Sequence, residues 1–199
     1  MKTLVPAALI ALSAALPGRA DEVPLNVLSD YISSIKSVET TFVQTNADGT
    51  TAQGRLIIKR PYRMRFEYAP PDETLVLASA STVAVYDRKS NEPPAQYPLK
   101  KTPLNLILGP KIDLTTARMV VDHGEEDGLT TVTAQDPKNP EYGSIKLYFT
   151  ENPVALKAWT VTDDTGTETH VDLGPLIAGG DYPGELFDIS GETARRQEK

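Results

Sequence analysis

The side chains of this 199-residue chain that could carry out chemistry are few and far apart. Its two histidines, His123 and His170, lie in different segments, cysteine is absent, and no Gly-x-Ser-x-Gly elbow presents a nucleophile. A catalytic triad, a thiol nucleophile and a cysteine-based zinc or iron–sulfur site are therefore not expected. His123 sits in the acidic run Asp122-His123-Gly124-Glu125-Glu126-Asp127-Gly128, which could be read as a cation loop. Its spacing does not match the alternating oxygen ligands of a calcium loop, and glycines among acids between two strands read as a hairpin. His170 shares a strand face with Glu168 and Asp172. A solvent-facing polar row accounts for that, with zinc or copper held by converging imidazole and carboxylate groups as the alternative. No catalytic residue, metal ligand or cofactor is expected.

Arg60 stands apart from this set. Strand side chains alternate between faces, so Leu56 and Ile58 share a face with Arg60, while Arg55, Ile57 and Lys59 take the other. After Pro61, Tyr62, Met64, Phe66 and Tyr68 line up against Arg63, Arg65 and Glu67. An arginine at the end of an apolar row must find acceptors, because an unpaired guanidinium against apolar surface is costly. Two readings follow. Its stem can lie on apolar neighbours with the head in water, a snorkelling rim residue, or the head can be held by acceptors for a purpose. The residues alone leave both open.

The elements that would position these residues are mostly strands. Leu25, Leu28, Ile32 and Ile35 recur at helical spacing and predict an amphipathic helix over 25–36. From Glu39 onward, short apolar-alternating segments closed by Gly, Pro, Asn and Asp predict a β meander of about ten or eleven strands. Pro93, Pro94 and Pro98 confine residues 91–98 to an edge or an irregular connection. Thr102-Pro103-Leu104-Asn105-Leu106-Ile107-Leu108-Gly109-Pro110 predicts a very short helix, with Thr102 as N-cap and Gly-Pro as stop. A helix of about two turns that is apolar on all sides has no stability of its own in water, so it must rest on, or plug, an apolar surface of the sheet. In the later strands Ile145, Leu147 and Phe149 share a face, and Leu156 and Ala158 are expected opposite Trp159 and Val161. Residues 185–189 allow a last strand, and the polar tail from Gly191 is expected to fray.

Residues 1–20 read as a secretory leader: Lys2, an apolar stretch from Leu4 to Leu16, and small residues at Gly18 and Ala20. Cleavage near Ala20 would leave one domain over residues 21–199. Losing Lys2 and Arg19, and no acid, takes the formal charge from −7 to −9. So acidic a chain is a poor nucleic-acid binder, and without cysteine it carries neither a lipidated N-terminal cysteine nor a disulfide.

Phe42, Gln44, Gly54, Lys59-Arg60-Pro61, Phe66, Tyr68 and Pro70 follow one another in an order that resembles the outer-membrane lipoprotein carrier (LolA-like) family. In that family's pattern the glycine opens a strand. The resemblance implies an incomplete antiparallel β-barrel, with an N-terminal helix and a short helical lid over an apolar cavity. It implies Arg60 as a latch donating to backbone carbonyls of the lid, Leu56, Ile58, Met64, Phe66 and Val76 as cavity lining, and Pro103, Leu104, Leu106, Ile107 and Leu108 as lid. The implied role is that of a monomeric, non-enzymatic periplasmic carrier of acylated lipoproteins. It would receive them from an inner-membrane ABC-type releasing complex and pass them to an outer-membrane acceptor. A carrier or sensor of another lipid, glycolipid or polyprenyl, would use the same cavity; an exported metal-binding protein or hydrolase is the competing class. The family commonly has an Asp-Gly turn where this chain has Ser79-Ala80.

Overall fold

A computed structural model describes residues 22–197 apart from Lys89, Asn91 and Ala117. The leader expected over 1–20 lies outside the described residues. Helix α1 (Leu25–Ser34) is followed by β1 (Ser37–Asn46), β2 (Thr51–Lys59), β3 (Arg63–Tyr68), β4 (Leu75–Ser79), β5 (Thr82–Tyr86) and β6 (Ala95–Pro98). Helix α2 (Asn105–Leu108) then precedes β7 (Val120–Glu126), β8 (Leu129–Gln135), β9 (Ser144–Glu151), β10 (Val154–Thr162), β11 (Glu168–Leu173), β12 (Ile177–Ala178) and α3 (Ile189–Gln197). The strands form a single antiparallel sheet in the order β6-β5-β4-β3-β2-β1-β11-β10-β9-β8-β7, with the short β12 also pairing β1.

That order explains the overall shape. The first half is a meander that walks outward from β1 to β6, and the second half starts at the opposite edge with β7 and walks back until β11 pairs with β1. Both end strands keep a free edge, so the curved sheet is not closed. The chain must pass from one free edge to the other, and its connection, residues 99–119, carries the buried apolar residues Leu99, Ile107, Leu108, Ile112 and Leu114. The expected edge position of the proline-rich segment is what β6 occupies, exposed along its whole length. The acidic run around His123 is a hairpin: β7 and β8 meet at Asp127-Gly128, whose φ angles of 51° and 77° are those of a tight primed turn. Where the family commonly has Asp-Gly, Ala80 itself takes a left-handed φ of 51° between β4 and β5.

Alternation sorts the two faces. Phe42, Leu56, Met64 and Phe66 belong to the main core on the concave side, with Ile58 and Val76 packed against it. Phe42 meets Phe66 and Tyr68 edge-on at 4.9 and 5.0 Å between ring centroids. Gly54 makes room for this cluster. A Cβ there would fall 2.0 Å from the Glu67 carbonyl oxygen and 2.9 Å from the Phe42 ring, so the glycine lies within β2 rather than opening it.

The C-terminal segment corrects the expectation of a strand and a frayed tail. A 3-10 turn over Gly184–Phe187, set against β3 and β4 with Phe187 buried, leads into α3, whose Ile189 packs on a second apolar patch of Leu75, Leu77, Ala84 and Tyr86 on the convex side. Arg65 donates to the Leu186 carbonyl at 2.9 Å, and the Tyr86 hydroxyl donates to the Ile189 carbonyl at 2.8 Å. The reason is the run Leu75-Val76-Leu77-Ala78, apolar on both faces, which needs cover on both. The polar residues of α3 take part in this docking: Glu192 is its buried residue, and Thr193 Oγ1 lies 3.1 Å from the Tyr86 hydroxyl.

Glu192, buried on α3, accepts from Arg195 at 2.8 Å and Arg196 at 2.9 Å and lies 3.7 Å from Arg65. Burial pushes its carboxyl up, but these arginines outweigh burial and hold it below its ordinary 4.5. Its contribution to docking α3 is therefore complete above that value and lost as pH falls through the lower folded value. Amide protection factors of α3 should drop between about pH 6 and pH 3, more than those of β1 and β2, and Glu192→Gln should abolish the difference. Equal loss in the variant would assign the effect to another group.

Candidate lipid cavity and its cover

The concave face carries two covering pieces, joined to each other and to the sheet by hydrogen bonds. Helix α1 lies over β9 and β10, where the Tyr31 ring meets Phe149 edge-on at 6.2 Å and the Tyr31 hydroxyl accepts from the Leu156 N–H at 3.0 Å. The crossing connection lies beside it. Ser29 Oγ accepts from the Leu114 N–H at 2.9 Å, and Ser33 Oγ donates to the Ile112 carbonyl at 3.2 Å. The Tyr62 N–H donates to the Leu108 carbonyl at 2.8 Å, fastening α2 to the turn after Arg60.

Arg60 closes this arrangement at the C-terminal end of α1. Carbonyls there lack the usual N–H partner one turn on, and several find another donor. The Tyr31 carbonyl accepts from Ser34 Oγ at 2.7 Å, Ser33 from Lys36 Nζ at 3.0 Å, and Lys36 from the Arg60 N–H at 2.8 Å. Arg60 Nε donates to the Ile35 carbonyl at 2.8 Å, and its Nη2 donates to the Ile32 carbonyl. A cation at a helix C-terminus also meets the negative end of the helix dipole. Desolvation lowers the pKa of the half-buried guanidinium, yet it stays charged because arginine does not deprotonate in proteins.

The guanidinium therefore grips the N-terminal helix, not the 103–108 segment to which a short apolar lid pointed. The reason is positional. Arg60 stands where β2 ends against the α1–β1 junction, with the Arg60 N–H already on Lys36, so the nearest freed carbonyls are those of α1. Thr102 does not cap α2. Its hydroxyl donates back to the Leu99 carbonyl at 2.8 Å, and Leu104 occupies the cap position without a side-chain bond. Pro103, Ile107 and Leu108 are buried, and Leu104 and Leu106 pack against the core half-exposed.

Between cover and sheet remains a cavity of about 40 Å³, walled by Ile32 of α1 and Ile35 just after it, Val38, Thr40, Leu56 and Ile58 of the first strands with Arg60 beyond β2, Ile107 of α2, and Leu147, Leu156, Trp159, Leu173 and Leu176 from the second half. Of the expected lining, Leu56 and Ile58 touch this space, while Met64, Phe66 and Val76 lie in the core beside it. Leu156 and Trp159 both face it although they are an odd number of residues apart. A β-bulge accounts for this: Leu156 pairs Phe149 and Ala158 pairs Tyr148, so Lys157 is extra and the alternation shifts. The Phe42-x-Gln44 spacing has a role too. Gln44 Oε1 accepts from the Tyr68 hydroxyl at 2.6 Å, and burial, opposed by that bond, pushes the phenol up to about 12.

A more voluminous groove of about 620 Å³ opens outside, between Tyr62, Ser81, Tyr97 and Lys100. It follows the exposed β6 edge and is a surface feature, separate from the apolar interior. The histidines remain apart. His123 Nε2 lies 3.1 Å from the Val23 carbonyl, and His170 Nδ1 lies 2.8 Å from Thr160 Oγ1. No group of three His, Cys, Asp or Glu side chains converges on a metal position among the described residues.

Residues 33–190, from the end of α1 to the start of α3, match the family model described as outer membrane lipoprotein carrier protein LolA. The chain belongs to this family. Among curated relatives, the outer-membrane lipoprotein carrier protein of Leptothrix cholodnii is 31% identical over 90% of this chain and 87% of its own length. That of Chromobacterium violaceum is 27% identical over 86% and 85%. Among solved structures, a LolA superfamily protein from Nitrosomonas europaea covers 83% of this chain and 98% of its own, at 9% identity and a TM-score of 0.43.

Removing only the Tyr31 hydroxyl should test the second attachment of α1. Tyr31→Phe keeps the ring on Phe149 but leaves the Leu156 N–H without its acceptor, a loss of about 1–3 kcal/mol. Hydrogen exchange in α1 should accelerate about five-fold or more, with β2 and β3 unchanged. Unchanged exchange in α1 would show that the Tyr31 hydroxyl does not hold the helix.

Proposed function

We propose that this chain is a periplasmic carrier. It takes the acyl chains of lipoproteins released from the inner membrane by an ABC-type complex, shields them during transit, and yields them to an acceptor at the outer membrane. The supporting observation is the apolar interior closed down to about 40 Å³ under a cover that a half-buried cation holds by backbone carbonyls. Pockets that take small molecules commonly have about 300–1,000 Å³, so an acyl chain enters only if the cover moves.

The magnitudes suit a reversible latch. Two charged hydrogen bonds contribute about 3–6 kcal/mol at roughly 1.5–3 kcal/mol each. Burying about four to eight methylenes at roughly 0.8 kcal/mol each offsets that. A cargo chain longer than this opens the cover, and closure of the emptied cavity favours release. The cargo thus shifts an equilibrium between two covers rather than forcing a permanent change.

Arg60→Leu keeps the rim apolar and removes every donor, so the closed empty state loses its advantage. The variant should accept a labelled lipoprotein from inner-membrane vesicles as well as wild type does, and should transfer it poorly to outer-membrane vesicles. Arg60→Lys should be intermediate, keeping the charge but losing the planar fork. Equal transfer by wild type and Arg60→Leu would reduce Arg60 to a snorkelling rim residue.

A further inference from the structure

The guanidinium of Arg60 has one nitrogen that the latch does not use. Nε and Nη2 donate to the Ile35 and Ile32 carbonyls, but Nη1 is buried and has no hydrogen-bond partner. Arg60 belongs to the wall of the central cavity, where Thr40 is the other polar lining residue. Thr40 is not its partner: the Thr40 hydroxyl donates to the Thr41 carbonyl at 3.0 Å, and Nη1 donates to no group. The guanidinium thus stands in the wall of an apolar chamber with the N–H groups of Nη1 unpaired. When α1 lifts, the bonds to Ile35 and Ile32 are also broken, and the whole fork is left on an apolar wall. Such a group is costly unless the incoming molecule brings acceptors.

We infer that Arg60 is a recognition residue for the linkage at the head of the acyl chains: its guanidinium donates to the ester or amide carbonyl oxygens of the lipid once the cover opens. This rests on the carrier reading and adds a chemical selectivity to it. Hydrocarbon alone would lift α1 and strand the cation. A chain carrying a carbonyl at its head lifts α1 and supplies the acceptors that the Ile32 and Ile35 carbonyls gave up. Ester- or amide-linked chains are thereby distinguished from ether-linked or purely hydrocarbon ones, and the planar fork suits two neighbouring carbonyls better than an ammonium does.

The test uses a ratio, because loss of the latch shifts the affinity for all lipids together. A diacylglyceryl lipopeptide with ester linkages and its dialkyl ether analogue, equal in chain length, are titrated into wild type, Arg60→Leu and Arg60→Lys by displacement of a fluorescent lipid. Wild type should prefer the ester by about ten-fold or more. In Arg60→Leu the two should bind within about two-fold of each other, with Arg60→Lys between. An ester preference that is absent in wild type, or equally large in Arg60→Leu, overturns the assignment. Should Arg60→Leu fail to fold, Arg60→Lys carries the test: a reduced ratio supports the assignment and an unchanged one overturns it. Binding of neither lipid by wild type would remove the carrier reading itself, and this one with it.

Discussion

A guanidinium that cannot lose its proton, placed against an apolar wall, is tolerated only where carbonyls reach it. In this protein those carbonyls belong to Ile32 in the last turn of α1 and to Ile35 just after it, and much of the molecule is arranged around that pairing. The Lys36 carbonyl and the Arg60 N–H bring the end of β2 beside the helix terminus. Tyr31 holds the same helix at its other contact with the sheet, and the serines of α1 tie it to the crossing connection. A single cation thus sets the position of one covering piece directly and of the other through it.

Topology supplies what the latch closes. Because the sheet begins to be built at its middle strand, β1, and ends at two free edges, the connection from β6 to β7 has to pass between those edges. Its apolar residues then have an interior to enter, which is why a helix as short as α2 persists. The convex side follows a different rule. There the continuous apolar run of β4 is covered by Phe187 and α3, held through Arg65 and Tyr86, so motion of the concave cover need not disturb it.

Much of this was legible in the residues. Alternation placed Leu56, Met64 and Phe66 in the concave core, and the proline cluster put β6 on an edge. The bare apolar character of residues 104–108 required that they be covered. What alternation could not reveal was the bulge at Lys157, since one extra residue reverses the parity of everything after it and the sequence carries no mark of it. Nor could local spacing say which carbonyls Arg60 meets, a question of which chain ends come together in space. The C-terminal helix was missed for another reason. Its own residues are polar, and the demand for it lies more than a hundred positions earlier, in Leu75 and Leu77.

The central claim is that cargo lifts α1 away from the sheet. The absence of cysteine makes paired spin labels straightforward, with one at exposed Asp30 on α1 and one at exposed Asp172 on β11. Double electron–electron resonance on the empty protein should give one narrow distance distribution, and loading with an acylated lipoprotein should lengthen and broaden it. The same distribution in the empty and loaded protein would contradict an opening cover.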